Sequence, residues 1–517
     1  MYEQHHSARY HLLHNRRLII CCLLLSPCYF TFGYDAFVYA GVIAMPAFTR
    51  QFGTPVPPTV SKSGYLLSAR NVSIITATPT AGAFVGAIVT SMLGDRFGRK
   101  KTIWIGCLIA FAAMSIQTAA TNVAIITVGR TLAGVSNFMF INMAISFSVE
   151  LAPPSLRGAI VSLSTVSLTF AACIASAVNL GTQTIDSNLA WRIPVGIQLV
   201  GPVLIGSAIL FVKESPTFFL IKSEDENARK SLAYVRHGWT DPEIDQELQN
   251  LRLQHALRAT EVQVSWRDIF KGTDLRRTVL ATFFSVALQV SGLAYAGQYA
   301  RIFFTQIGNA TPLLMVFALC LLEGGIVGQF LIEILGRRKQ AIIFTTLIAC
   351  IDLIVGCLGF APATNKSAST TIAGFSLLFG FCITAGMNPL SYTSLGEFPT
   401  ARLRNKTGAF ALLSANLSIL AVSYVLPYIV NPDAADLGAK VFLVFAGFMF
   451  LAAIYCYFCF PEIRGRTAAE LDELFENKVP ASKFKSYLCA TAMENTPAEG
   501  INESAKDVVV HEVEHRS

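Results

Sequence analysis

Charge is what this sequence has least of: charged residues make up 14% of the chain, against 53% hydrophobic ones. That balance excludes an ordinary soluble domain, in which about a quarter of the residues are charged. A chain this apolar buries its side chains against lipid, and its backbone polar groups must then be satisfied inside helices. A leader with a small-residue cleavage site is missing ahead of Leu18, so the first apolar run is expected to act as its own insertion signal. A disulfide framework is missing too. Of the twelve cysteines, most, such as Cys107, Cys173, Cys350 and Cys382, lie inside apolar runs, where a thiol behaves as a small hydrophobe. Cys456 and Cys459 have redox-pair spacing but no βαβ context. His5, His6, His11 and His14 belong to a polar tail. No metal, no cofactor and no covalent chemistry are therefore expected, and the chain does not read as an enzyme.

The net charge of +7 does not point to nucleic acid, because Lys and Arg fall in short loops between apolar runs. Those runs number about twelve, each near the roughly 20 residues that cross a bilayer core. The first half reads Leu18–Met45, Ser73–Leu93, Thr102–Ala120, Val123–Val149, Ala159–Gly181 and Arg192–Val212. The second reads Val279–Gln306, Pro312–Ile334, Ala341–Phe360, Thr370–Leu395, Thr407–Val430 and Lys440–Phe460. The expected organisation is a tail (1–17), six spans (18–212), a linker with short helices (213–277), six more spans (278–460) and a second tail (461–517). Ser223 before Glu224, Asp225 and Glu226 predicts a capped linker helix, and Thr240-Asp-Pro-Glu243 predicts a second. Arg16 and Arg17, Arg96 to Lys101, Arg337 to Lys339, and Arg402 to Lys406 occupy alternate loops, while 182–191 and 431–439 carry no basic residue. The positive-inside rule places both termini in the cytoplasm. Sequons at Asn71, Asn309 and Asn365 fall in or beside outer loops and are glycosylation candidates.

The halves repeat each other. Gly94-Asp-Arg-Phe-Gly-Arg-Lys-Lys101 follows span two as Glu333-Ile-Leu-Gly-Arg-Arg-Lys339 follows span eight. Glu150 and Arg157 are spaced like Glu397 and Arg404, and Glu214 stands after span six as Glu462 does after span twelve. Three matches in one order indicate a duplication, the plan of carriers with a central site between two bundles. Asp95, Arg99, Glu150, Arg157 and Glu214, with Glu333, Arg337, Glu397, Arg404 and Glu462, are expected to link helix ends through ion pairs that open and close between two states. Plain topology signalling explains the arginines but not the matched carboxylates.

Asp35 lies inside the first span, with about ten apolar or small residues after it, which favours a pathway residue over the alternative of a helix-end charge that snorkels to the interface. A carboxylate there costs about 2.5–3.5 kcal/mol on insertion scales, so it needs a wet cavity or a partner. Arg130 in span four is the natural partner. A proton exchanging for that partner would couple protonation to conformation. Glu323 in span eight is a further acid within reach of the cavity, and Asp352 in span nine is read as structural.

Taken together, Gly94–Lys101, Gly129-Arg130 with Gly134, Glu150-Leu-Ala-Pro-Pro-Ser-Leu-Arg157-Gly158, Glu214-Ser-Pro216 and Pro461-Glu-Ile-Arg-Gly-Arg466 make the chain resemble the sugar porter family of the major facilitator superfamily. Tyr428 to Lys440 and Val479 to Tyr487 are similar to fungal maltose-permease-like transporters. The resemblance implies an all-α membrane protein, with twelve transmembrane helices in two pseudo-symmetric six-helix bundles, working as a monomer in the plasma membrane with a small-molecule substrate. It implies substrate-binding roles for Thr165, Gln289, Tyr299, Asn388, Tyr392 and Asn416. Where the family carries two further amides in span seven, this chain has Leu288 and Ala294. Tyr295 and Gln298 are the neighbours available to replace the lost hydrogen bonds. The expected function is proton-coupled uptake of a sugar, α-glucoside or polyol, with glucose a poor substrate. The alternatives are a carrier for a less polar metabolite, even an exporter, and a non-transporting sugar sensor.

Overall fold

The computed structural model describes residues 16–57, 64–152, 157–237, 239–261, 265–296, 310–362, 365–400, 402–487 and 489, without the side chains of 157–165, 254–261, 310, 311 and 468. Gln298, Tyr299 and Asn309 therefore lie outside the described residues, as do the side chains of Arg157 and Thr165.

Eleven helices among the described residues are long and apolar enough to cross a membrane. In the first half these are α1 (Arg16–Val42), α2 (Ala69–Phe97), α3 (Arg99–Thr118), α4 (Val123–Leu151) and α6 (Leu189–Leu210). In the second they are α7 (Gly272–Ala296), α8 (Pro312–Leu335), α9 (Arg337–Leu358), α10 (Lys366–Glu397), α11 (Arg404–Val430) and α12 (Gly438–Cys459). The helix Arg157–Thr182 completes the set as α5, with Val166–Thr182 as its apolar stretch. Among the described residues, the β-structure is one antiparallel pairing of Thr54–Pro55 with Tyr65–Leu66 in the loop between α1 and α2. This is the twelve-helix fold that the duplicated sequence implies. α7 starts at Gly272, inside the segment expected to be linker.

Prolines inside these helices remove a donor and leave the carbonyl four residues back without its helical partner. Side chains fill the gaps. Pro27 frees Leu23, whose carbonyl accepts the Ser26 hydroxyl at 2.7 Å. Pro389 frees Ala385, whose carbonyl takes the Gln340 amide of α9 at 2.8 Å, beside the π turn Ile383–Met387. α7 breaks after Gln289, where Gly292 takes φ 93° and the Ser291 hydroxyl turns back to the Leu288 carbonyl at 2.8 Å.

The linker begins with helix Pro216–Ile221, followed by Asp225–Val235 and Asp241–Glu261. Ser223 does not cap the second of these. It takes φ 59° in the turn that ends the first, and Glu224 stands at the cap position. The Thr240 N–H does reach Glu243 at 2.8 Å. Arg236, 2% exposed, pins the linker to α4: it grips Glu247 at 2.8 and 3.0 Å and donates to the Leu151 carbonyl at 2.8 Å. The tail helix Ala468–Glu476 docks on the second bundle through Arg277–Asp472 at 2.7 Å and Arg276 to the Val479 carbonyl at 3.0 Å.

Candidate functional site

Asp35 faces the first bundle's interior from α1, sealed from solvent at 3% exposure. Arg130 of α4 donates to its Oδ1 at 2.7 Å, and Asn137 donates to its Oδ2 at 2.9 Å. The arginine is satisfied in turn. Its Nε points to the Ile75 carbonyl at 3.4 Å, the group that Pro79 frees on α2. Its guanidinium lies 4.1 Å from the Tyr39 ring centroid, while the Tyr39 hydroxyl donates to Gln117 at 2.7 Å. A buried ion pair holds only when its remaining hydrogen-bonding capacity is filled, because desolvation of each ion costs several kcal/mol. Here α1, α2, α3 and α4 all contribute to filling it.

At the face that carries the linker, two clusters repeat one geometry. Arg99 binds Glu150 at 2.8 Å, and Arg337 binds Glu397 at 3.0 Å and Glu333 at 3.1 Å. Glu214 does not pair with a guanidinium. Its carboxylate accepts the backbone N–H groups of Arg99 and Lys100, both at 3.0 Å, at the first turn of α3. Glu462 does the same for Arg337 and Arg338 at 3.0 and 3.1 Å, at the start of α9. Each carboxylate thus sits where a helix N-terminus presents unpaired donors and positive dipole. Burial pushes the Glu214 carboxyl up, and the N–H donors of Ser215, Lys100 and Arg99 pull against that shift. Ser215 also hydrogen-bonds Glu150, closing the first cluster. Two expected members do not join. Asp95 is exposed without an ion pair, and Arg404 is exposed without one, among the described residues. Every described ion pair of the clusters stays within one bundle.

The bundles are joined at the opposite face. Asp433 accepts the Ala69 N–H at the start of α2 at 2.8 Å, and Ser73 donates to the Tyr424 carbonyl at 2.8 Å. Thr76 donates to the Ser423 carbonyl at 3.2 Å, an acceptor freed by Pro427. Among the described residues these are the hydrogen bonds between α1–α6 and α7–α12, so the centre is clasped away from the linker.

The cavity residues separate into two groups. Asn388 and Tyr392 are one turn apart on α10. Asn388 is half-buried, and Tyr392 keeps 47% of its surface accessible. Gln289 is half-buried at the α7 break. Tyr295 is not a cavity residue: it is fully buried, packs edge-on against Phe442 at 4.8 Å and donates to the Gly438 carbonyl at 2.9 Å. Leu288 packs against the second bundle's core. Asn416 turns its amide back to the Leu412 carbonyl at 2.9 Å. Glu323 shares an exposed stripe of α8 with Ile326, Phe330 and Ile334, while Gly324 and Gly328 press against α10. The structure does not bring it to Asp35. Asp352 is buried in α9, and its carboxyl oxygens meet no donor among the described residues.

The family profile described as Sugar (and other) transporter matches residues 21–475. The chain belongs to the sugar transporter family. Among curated members, it is similar to the general alpha-glucoside permease of Saccharomyces cerevisiae, 29% identical over 490 residues, covering 92% of this chain and 78% of that one. It is also similar to the high glucose sensor of the same yeast, 26% identical over 89% of this chain, but it spans only 61% of the sensor's length. A structure of the xylose transporter XylE from E. coli, described as partially occluded and inward open, shares the fold at TM-score 0.71. That match is 17% identical and covers 87% of this chain and 99% of the other. The protein is a multi-pass membrane carrier of the major facilitator fold, not an enzyme.

For this sugar transporter family member, the Asp35–Arg130 pairing was legible in the sequence and its support was not. Asn137 follows Arg130 by seven residues, two helical turns, and Tyr39 follows Asp35 by four, so each shares a face with its neighbour. That periodicity is the signal that finds them. Of the glycosylation candidates, Asn71 is half-buried in the first turn of α2, and Asn365 is exposed and caps α10 through Ala368 N–H at 3.3 Å.

Proposed function

We propose that this protein couples the entry of a sugar, α-glucoside or related polyol to proton movement across the plasma membrane, with linker and termini in the cytoplasm. The observation that carries the reading is Asp35, a buried acid whose every partner is a side chain able to move away. Asn137 suits both protonation states: its NH2 donates to the carboxylate now, and its carbonyl, without a partner among the described residues, can accept from the protonated acid. Protonation would release Arg130 and unlock α1 from α4. The clasp at the opposite face agrees with a cavity open toward the linker, the state named for the XylE neighbour.

Asp35→Asn is expected to abolish uphill accumulation while exchange of labelled substrate continues. Uptake by cells lacking their own sugar carriers checks this, with and without a protonophore. Accumulation by the variant that matches wild type, with the same protonophore sensitivity, would refute the coupling role.

Glucose is expected to be a poor substrate, since Leu288 and Ala294 stand where the family carries amides and Tyr295, committed to the core, does not replace them; a disaccharide or glycoside meeting a reshaped pocket is the preferred cargo. Tyr392→Ala is expected to raise the apparent KM for such a ring roughly 2- to 13-fold, the equivalent of about 0.5–1.5 kcal/mol of aromatic contact. An unchanged KM with lower expression would mark Tyr392 as packing. In the same assay, no uptake of any sugar would favour the sensor reading.

A further inference from the structure

The two bundles differ in one place that the transport cycle does not use. In the first, α1 and α6 pack directly: Gly201 of α6 lies against the Thr31 side chain, and Leu25, Cys28, Ile205 and Ile209 share one core cluster. In the second, the matching helices α7 and α12 meet through Phe283 stacked on Tyr455 at 4.3 Å and through Gly292 against Phe445, and these contacts border an apolar groove of about 540 Å3. Val279, Val286 and Val290 of α7, Phe410 of α11, and Leu451 and Tyr455 of α12 line it. Leu451 is 65% exposed at its lip, so the groove opens outward. Its α7 wall runs from Leu275 to Val290, about 22 Å at 1.5 Å per residue. A single leaflet's share of the hydrocarbon core is about 15 Å. An extended acyl chain fits this length. Thr282, in the same wall, has a buried hydroxyl with no partner among the described residues.

The end of the groove at the linker face is basic. Phe270 lines it, and Arg267 and Lys271 flank Phe270 in the exposed turn that opens with Trp266. Lys406 stands one turn before Phe410, its Nζ 5.9 Å from the Trp266 ring. Arg402 adds a fourth cation near Asp268. The acids facing this rim are occupied: Asp268 by Lys271 at 2.8 Å and the Ser265 N–H at 2.9 Å, and Asp274 by the Thr400 hydroxyl at 3.4 Å. Aromatic rings at the level of headgroups and cations just outside the apolar wall complement a lipid with a negatively charged head.

We propose that this groove is a binding site for an anionic glycerophospholipid, with an acyl chain lying along α7 and α12 and the phosphate-bearing head at Arg267 and Lys406, Lys271 being spent on Asp268. The site is independent of the substrate and of the proton reading. The test uses the purified full chain in detergent, titrated with dioleoylphosphatidylserine or dioleoylphosphatidylcholine and followed by native mass spectrometry. The expected result is one saturable phosphatidylserine adduct and markedly weaker phosphatidylcholine binding. Leu451→Trp, at an already exposed position, should fill the groove and remove the adduct. Arg267→Ala with Lys406→Ala should lower the preference for phosphatidylserine by roughly tenfold or more, since each surface cation near an anionic lipid is worth about fivefold. Should Leu451→Trp fail to fold, the rim variant decides alone. Equal binding of the two lipids by wild type, or an adduct that survives both variants, overturns the proposal. So does a sterol that displaces phosphatidylserine and binds equally without the rim cations, which would assign the groove to a neutral lipid.

Discussion

Arg130→Ala should cost about 3–5 kcal/mol of stability, the typical penalty for leaving one partner of a buried pair without the other. Asp35 would then be a carboxylate at 3% exposure whose remaining donor is the Asn137 amide. The loss should extend beyond the charge, because the guanidinium also covers the Tyr39 ring and serves the Ile75 carbonyl that Pro79 leaves open. Asp35→Asn in the same chain should restore part of the loss, since it removes the stranded charge. Contacting residues typically couple by about 0.5–3 kcal/mol. Thermal unfolding of the four proteins of that cycle in detergent measures the coupling. A double variant no more stable than Arg130→Ala alone would mean that the arginine acts by packing rather than by pairing.

Gly336→Ala should be nearly as damaging. Gly336 takes φ 82°, a conformation that side chains rarely adopt, and a Cβ there would stand 2.5 Å from a Glu462 carboxylate oxygen. The substitution adds strain of about 1–3 kcal/mol. It also displaces the carboxylate from the α9 N-terminus, and lost caps cost about 0.5–2 kcal/mol. Gly98 repeats the arrangement at φ 89°, with Glu214 against it, so Gly98→Ala should fail in the same way. Glu462→Gln keeps one carbonyl acceptor and should lose less than either glycine variant. Melting temperatures of the three purified variants rank the effects. A Gly336→Ala protein as stable as wild type would show that the cradle tolerates a side chain.

The twelve spans and the duplication were legible because both are written in patterns longer than any local ambiguity. Apolar runs of bilayer length, separated by basic loops, leave few other solutions. The Asp35–Arg130 pair was legible for a related reason: two opposite charges deep in apolar runs must find each other. Single residues were harder. Tyr295 resembled a cavity tyrosine, but the break at Gly292 rotates the last turn of α7, and the Tyr295 hydroxyl ends at Gly438. Ser223 had the chemistry of a cap, yet the preceding helix ends through it, and a residue at φ 59° cannot also start the next. Asp95 and Glu333 occupy matched positions, but only Glu333 reaches its arginine, one turn away at 3.1 Å. The shorter aspartate leaves Arg99 to Glu150. Glu323 was placed by depth alone, and on α8 it lies on an exposed stripe away from Asp35.

The two clusters at the linker face have a mechanical consequence. Through Glu150 and Glu214, the ends of α3, α4 and α6 are fastened to one another, and Glu397 and Glu462 fasten α9, α10 and the segment after α12. Neither set reaches across to the other half. A hinge built this way cannot close by sliding one helix past its neighbours, because six ends are bolted into two plates. The plates must tilt as wholes about the packed pairs α2–α11 and α5–α8, where Ala172 and Cys173 meet Ala318, so a change anywhere within a plate is felt at its far rim as a change of angle.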